Sequence, residues 1–121
     1  MRLNHDCIRS VMLYLEENLE IASLIDTKDI NLPNFSQDDI DYSIIKMLEA
    51  NYLDGKVYNY SYGMRLVEVK SISWEGHQFL DNIRDSKVWS NTKSKLSTFS
   101  SVSINIMSQV AASVLSQMIN G

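Results

Sequence analysis

One stretch of the chain alternates with strand periodicity over more than a few residues, and it lies between segments of helical periodicity. Tyr52 to Tyr62 runs into Gly63, and Met64 to Ile72 runs out. Tyr58, Tyr60 and Tyr62 recur every second residue on the first arm, and Val67 and Val69 do so on the second. Aromatic and β-branched residues suit a pleated surface, and glycine supplies the backbone freedom of the turn. The stretch is a β-hairpin, so the chain belongs to the α+β class.

Helices are expected on both sides. Asn4 or Asp6 caps the first, where Ile8, Val11, Met12, Leu15 and Leu19 keep the spacing of one buried face. Ser36 caps the middle helix, Gln37 to Ala50, by accepting the amide of Asp39. Its core face is Ile40, Ile44, Met47 and Leu48, and Asn51 suits a left-handed ending. Between these two helices, Ile21 to Phe35 is ambiguous. Ile21 to Ile25 fits either a helix or a strand, and Asp29 to Leu32 alternates as a short strand closed by Pro33. After the hairpin, Ser73 sits at an N-cap position. Gly76, Leu80 and Ile83, with Phe79 beside them, form an inward stripe on a helix reaching about Asp85. Glycine on that stripe permits close approach. Val88, Trp89 and Leu96 suggest a further helical piece, and Ser103 caps a last helix, Ile104 to Ile119.

The order helix, short strand, helix, hairpin, helices is that of a winged-helix domain with a C-terminal helical extension. The 121 residues read as one domain, 1–121, with the winged core over 1–73 and the C-terminal helices over 74–121. A winged helix has one more short helix before its recognition helix; only Asp26 to Ile30 is placed to supply it.

Charge is uneven. Residues 1–54 carry four basic and eleven acidic side chains, residues 55–95 seven basic and four acidic, and residues 96–121 none. A polyanion would meet the middle third. The helix Gln37 to Ala50 opens with Asp38, Asp39 and Asp41 and has Lys46 as its one base, which opposes insertion into a DNA groove. The wing combines Lys56, Arg65 and Lys70 with tyrosines. The candidate DNA-binding residues are therefore Lys56, Tyr58, Tyr60, Arg65 and Lys70, since bases and aromatics together grip phosphates and stack on bases.

Catalytic and metal sites are not expected. The single Cys7, with His5 and His77 72 positions apart, offers no ligand set, and no phosphate loop or nucleophile elbow occurs. His77 reads as a structural or surface residue, and neither catalysis nor a cofactor is expected. The lone cysteine and the lack of an apolar leader or an ~18-residue apolar run point to a cytoplasmic protein without membrane contact. The uncharged last helix is apolar on more than one side. Met107, Ala111, Val114, Leu115 and Met118 are the candidate interface of a homodimer.

NHDCIRSVMLYLEEN, FSQDDIDYSIIKMLEANYL, SISWEGHQFLDNIRDSKVW and SVSINIMSQVAASVL, spread over roughly residues 3 to 118, resemble the YjcQ-like proteins. These are small proteins without an assigned function from Gram-positive bacteria and their phages. MLEANYL also resembles the end of a winged-helix recognition helix, with Asn51 in place of glycine. The resemblance implies a winged-helix fold and no catalytic residues. Together these readings point to a phage- or prophage-type binding protein and regulator. DNA is its first candidate ligand, and a protein-interaction module without DNA binding is the alternative.

Overall fold

A computed structural model describes residues 1–63 and 65–121, without the side chain of Tyr62. The expected contributions of Met64 and of the Tyr62 side chain to the hairpin lie outside the described residues. The chain forms two compact units, residues 1–77 and residues 78–121.

The first unit begins with α1, His5–Asn18. Asn4 is its cap: the Cys7 amide donates to Asn4 Oδ1 at 3.0 Å. Cys7, Ile8, Val11, Met12 and Leu15 are buried, as the helical spacing predicts, while Leu19 closes the helix half-buried. The strand of the ambiguous region is β1, Ile25–Asp26, and not the expected Asp29 to Leu32. The reason is non-local: Ile25 and Asp26 pair with Val69 and Glu68 of β3, Arg65–Ile72. Asp26 then accepts the Lys28 amide and turns the chain into a 3-10 turn, Thr27–Asp29, which stands where the extra short helix was sought.

Helix α2, Gln37–Glu49, starts as its sequence dictates, with the Asp39 amide donating to Ser36 Oγ at 3.1 Å. Ile40, Ile44 and Met47 are buried. Leu48 is only half-buried, and Ser43 takes a core position instead. Burial pushes the Cys7 thiol above its usual pKa, although a hydrogen bond with Ser43 works the other way. Asn51, at φ 63, ends α2 in the left-handed region. The Tyr52 amide reaches the Met47 carbonyl and the Asn51 amide the Leu48 carbonyl, so the last carbonyls of the helix are satisfied.

Strand β2, Leu53–Asn59, pairs antiparallel with β3, giving the sheet order β1-β3-β2. Gly63, at φ 75, makes the turn. Helices α1 and α2 pack together, and the inner sheet face adds Leu53, Val67 and Val69 to the core.

Helix α3, Trp74–Ile83, begins where Ser73 was expected to cap it. The Gly76 amide donates to Ser73 Oγ at 3.0 Å. That hydroxyl in turn donates to the Asn51 carbonyl, and the Ser73 amide donates to the Tyr52 carbonyl. The end of α2 is thereby stitched to the start of α3.

In the second unit, α4, Ser86–Leu96, and α5, Ile104–Asn120, pack on one another. Asp85 does not end α3: its carboxylate accepts the amides of Lys87 and Val88 and caps α4. Val88, Trp89 and Thr92 are buried, and the Thr92 hydroxyl returns to the Val88 carbonyl at 2.7 Å. Ser103 caps α5 through the Ile106 amide at 3.1 Å.

Candidate functional site

The hairpin presents two faces, and the register assigns each candidate residue to one of them. Leu53, Gly55 and Val57 of β2 alternate with Asp54, Lys56 and Tyr58, because successive side chains of a strand point to opposite sides. Val57 lies opposite Val67 and Gly55 opposite Val69, so that set faces the core. Lys56 lies opposite Glu68 and Tyr58 opposite Leu66 on the outer face.

A bulge between Asp54 and Gly55 makes β3 one residue longer than its partner there. Asp54 pairs with Ser71 and Gly55 with Val69, leaving Lys70 as the extra residue. Lys70 and Ser71 consequently both line the outer face, and the Ser71 hydroxyl donates to Asp54 Oδ2 at 3.2 Å. The bulge needs a glycine. A side chain at Gly55 would overlap the Glu68 carbonyl oxygen of β3. A glycine within a strand pattern is the sequence signal that could have located it.

The outer face forms an open groove of about 430 Å³ lined by Leu24, Asp54, Lys56, Tyr58, Glu68 and Lys70, among others. Three of the five expected wing residues, Lys56, Tyr58 and Lys70, are thus brought together. Arg65 is not with them. It pairs with Asn59 two residues from the core-facing Val57–Val67 pair, so its register position belongs to the opposite face at the hairpin tip. Tyr60 follows the end of β2 and is exposed. The bases of the groove face carboxylates at close register, with Lys56 opposite Glu68, Asp54 at the bulge, and Asp26 of β1 opposite Glu68. The face is mixed in charge, not a basic stripe.

The start of α2 is already engaged. Gln37 Nε2 donates to the Thr27 carbonyl at 3.1 Å and to Asp41 Oδ1 at 2.8 Å. Lys46 forms an ion pair with Glu49 at 2.8 Å and lies 5.4 Å from the Tyr42 ring centre. That ion pair holds the ammonium pKa above its usual value.

His77 is exposed and lines a second groove, of about 370 Å³, which the sequence did not suggest. Asp81, a possible i, i+4 partner for it, pairs with Arg84 at 3.1 Å. Among the described residues no three His, Cys, Asp or Glu side chains are grouped to hold a metal ion, and no helix is long and apolar enough to cross a membrane.

The proposed dimer residues divide as well. Met107, Ala111 and Val114 are buried within the single chain, so they fill its own interior and not an outward surface. Leu115 is half-buried, and Met118 is 46% exposed where the same stripe runs on into the last turn.

Among the described residues, five helices and a three-stranded antiparallel sheet define an α+β protein whose arrangement is compatible with a winged-helix-like fold. The model of the family described as "Hypothetical protein (DUF2513)" matches residues 2–103, and the chain belongs to that family. It is also similar to an uncharacterised protein of Haemophilus influenzae strain Rd, with 30% identity over 121 residues covering 98% of this chain and 99% of the relative. No solved structure matches.

Proposed function

We propose that this chain is a winged-helix binding protein of the phage or prophage type that the YjcQ-like resemblance suggests, a cytoplasmic regulator and not an enzyme. It contacts duplex DNA through the hairpin and not through α2. The observation that carries this reading is the contrast between the two elements. The first two turns of α2 bear Asp38, Asp39 and Asp41, its Gln37 is held by neighbours, and its Lys46 is paired with Glu49. The hairpin instead exposes Lys56, Tyr58, Tyr60, Arg65 and Lys70. Phosphate contacts supply most nonspecific affinity, so the acidic helix is the poorer docking element.

Fluorescence anisotropy on a random-sequence duplex at low salt tests this. Saturable binding at micromolar protein, weakening steeply with added salt, is expected. Arg65→Glu should weaken it by roughly tenfold, and Lys46→Ala should change it by less than about twofold. The reverse ranking would place the helix in the groove. No binding would favour the second reading, a protein-interaction module, which the mixed charge of the outer sheet face supports.

The proposal includes a homodimer built on the last turn of α5, where Leu115, Met118 and Ile119 extend the apolar stripe beyond its buried part. Light scattering across a dilution series is expected to give twice the 13.9 kDa chain mass, and Met118→Asp should restore the monomer. A monomer mass at tens of micromolar would remove the dimer from the proposal.

A further inference from the structure

Strand β2 is an edge of the sheet, since the order β1-β3-β2 gives it a strand neighbour on one side only. An edge presents backbone amides and carbonyls that another strand can pair with. The junction with α3 shows which residues present them. The Tyr52 carbonyl accepts the Ser73 amide, so Tyr52 turns its backbone toward the β3 side. That direction alternates along an antiparallel strand, and the extra residue of the bulge belongs to β3, so the alternation of β2 is unbroken. Asp54, Lys56 and Tyr58 therefore face β3 with their backbone groups, while Leu53, Gly55, Val57 and Asn59 direct theirs outward. Gly55 is exposed, so the middle of this edge is bare backbone.

A lysine in an exposed edge normally keeps other strands away, and Lys56 stands in the middle of this one. Asp54, two residues earlier on the same outer face, changes what that charge excludes. When β2 meets β2 of a second copy antiparallel across a two-fold axis, outward-directed residues must pair with outward-directed ones, so the axis passes through a residue. An axis at Asp54 sets Asp54 opposite its own copy, and an axis at Lys56 does the same to Lys56. An axis at Val57 sets Lys56 opposite Tyr58. An axis at Gly55 sets Asp54 of each copy opposite Lys56 of the other.

That last register satisfies every position. The two opposite-charge pairs fall at positions without ladder hydrogen bonds, where facing side chains come closest. Leu53 lies opposite Val57 on the core face, and the two glycines meet at the axis, where no side chains collide. Both charges are open to the contact. Asp54 and Lys56 are exposed, neither forms an ion pair with a described residue, and Asp54 accepts only the Ser71 hydroxyl. We infer that β2 is a self-recognition edge, which pairs with β2 of a second copy in the antiparallel register centred on Gly55 and joins the two sheets into one. The edge is short, so the contact is weak and forms at high local concentration. It uses no residue of α5 and does not depend on the duplex contact proposed above.

Sedimentation equilibrium of the full chain carrying Met118→Asp, which removes the proposed α5 contact, isolates this one. The mass should rise from 13.9 kDa at roughly ten micromolar toward twice that value at roughly several hundred micromolar. Adding Asp54→Lys or Lys56→Asp alone sets like charges opposite each other and should weaken the association roughly tenfold, with circular dichroism unchanged. An equimolar mixture of those two variants should restore it, because both lysines of one chain then face both aspartates of the other. The double exchange Asp54→Lys with Lys56→Asp should restore it as well. Neither restoration can come from a chain that has failed to fold. A monomer mass at every concentration would overturn the inference. So would single variants that associate as tightly as their parent, or a mixture no tighter than either variant alone. Failure of duplex binding or of the α5 contact is read in other measurements and alters none of these results.

Discussion

Replacing Gly76 with alanine is expected to destabilise the fold by about 3 kcal/mol. Gly76 lies in the first turn of α3 against the stretch that joins α2 to β2. An added Cβ would overlap the Tyr52 carbonyl oxygen, approach the Tyr52 carbonyl carbon to 3.0 Å and come within 2.8 Å of Ile72 Cγ2. The first two neighbours are backbone atoms and cannot rotate away. Moving α3 outward is also costly, since the Tyr52 carbonyl accepts the Ser73 amide at 3.1 Å and the Ser73 hydroxyl holds the Asn51 carbonyl. Urea denaturation of the full chain should show a lower midpoint with an unchanged slope. A loss below about 1 kcal/mol would mean that the junction relaxes cheaply and that close packing is not why glycine stands there.

Gly55→Ala is the second large effect, about 2 kcal/mol, with a local consequence for the candidate site. Its Cβ would overlap the Glu68 carbonyl oxygen and lie 3.1 Å from Val69 Cα. Strand β3 cannot withdraw, because Val69 is fully buried and pairs on its other side with Ile25 of β1. The bulge should open, and Lys70 and Ser71 should lose their common orientation toward the outer groove. Amide chemical-shift changes concentrated at residues 53–56 and 67–72, together with the stability loss, would report this. Gly63→Ala is the control. Beyond its chain neighbours no described atom lies within 4 Å of its added Cβ, so the cost of φ 75 dominates, about 1 kcal/mol. Equal losses at the two positions would attribute the Gly55 effect to backbone freedom and not to the bulge.

Much of this architecture is legible from neighbouring residues because its causes are local. Asn4, Ser36, Ser73 and Ser103 each accept an amide three residues ahead, an interaction that needs only the capping residue and the helix that follows. Asn51 and Gly63 take positive φ, as their chemistry permits. The buried stripes of α1 and α3 follow from helical spacing, and Val67 and Val69 from strand alternation.

The candidate site was legible only as a list of side chains. Lys56, Tyr58 and Lys70 share a face while Arg65 belongs to the other. That division depends on where Gly55 meets β3 and on the extra residue the bulge inserts. Spacing along one strand does not contain the register of its partner, and one inserted residue changes which side a lysine takes.

The amino-acid sequence by itself determined the helices, the caps at Ser36, Ser73 and Ser103, the hairpin and the uneven charge, since each is decided within a few residues along the chain. Tertiary structure alone decided that Ile25–Asp26 and not Asp29 to Leu32 forms the third strand, because a two-residue strand exists only through its pairing with Val69 and Glu68. It alone buried Ser43 in place of Leu48 and covered Met107, Ala111 and Val114 within the chain while leaving Met118 exposed. A helix with apolar residues on several sides has no intrinsic inner face. The elements that pack against it choose that face, and they are distant in sequence.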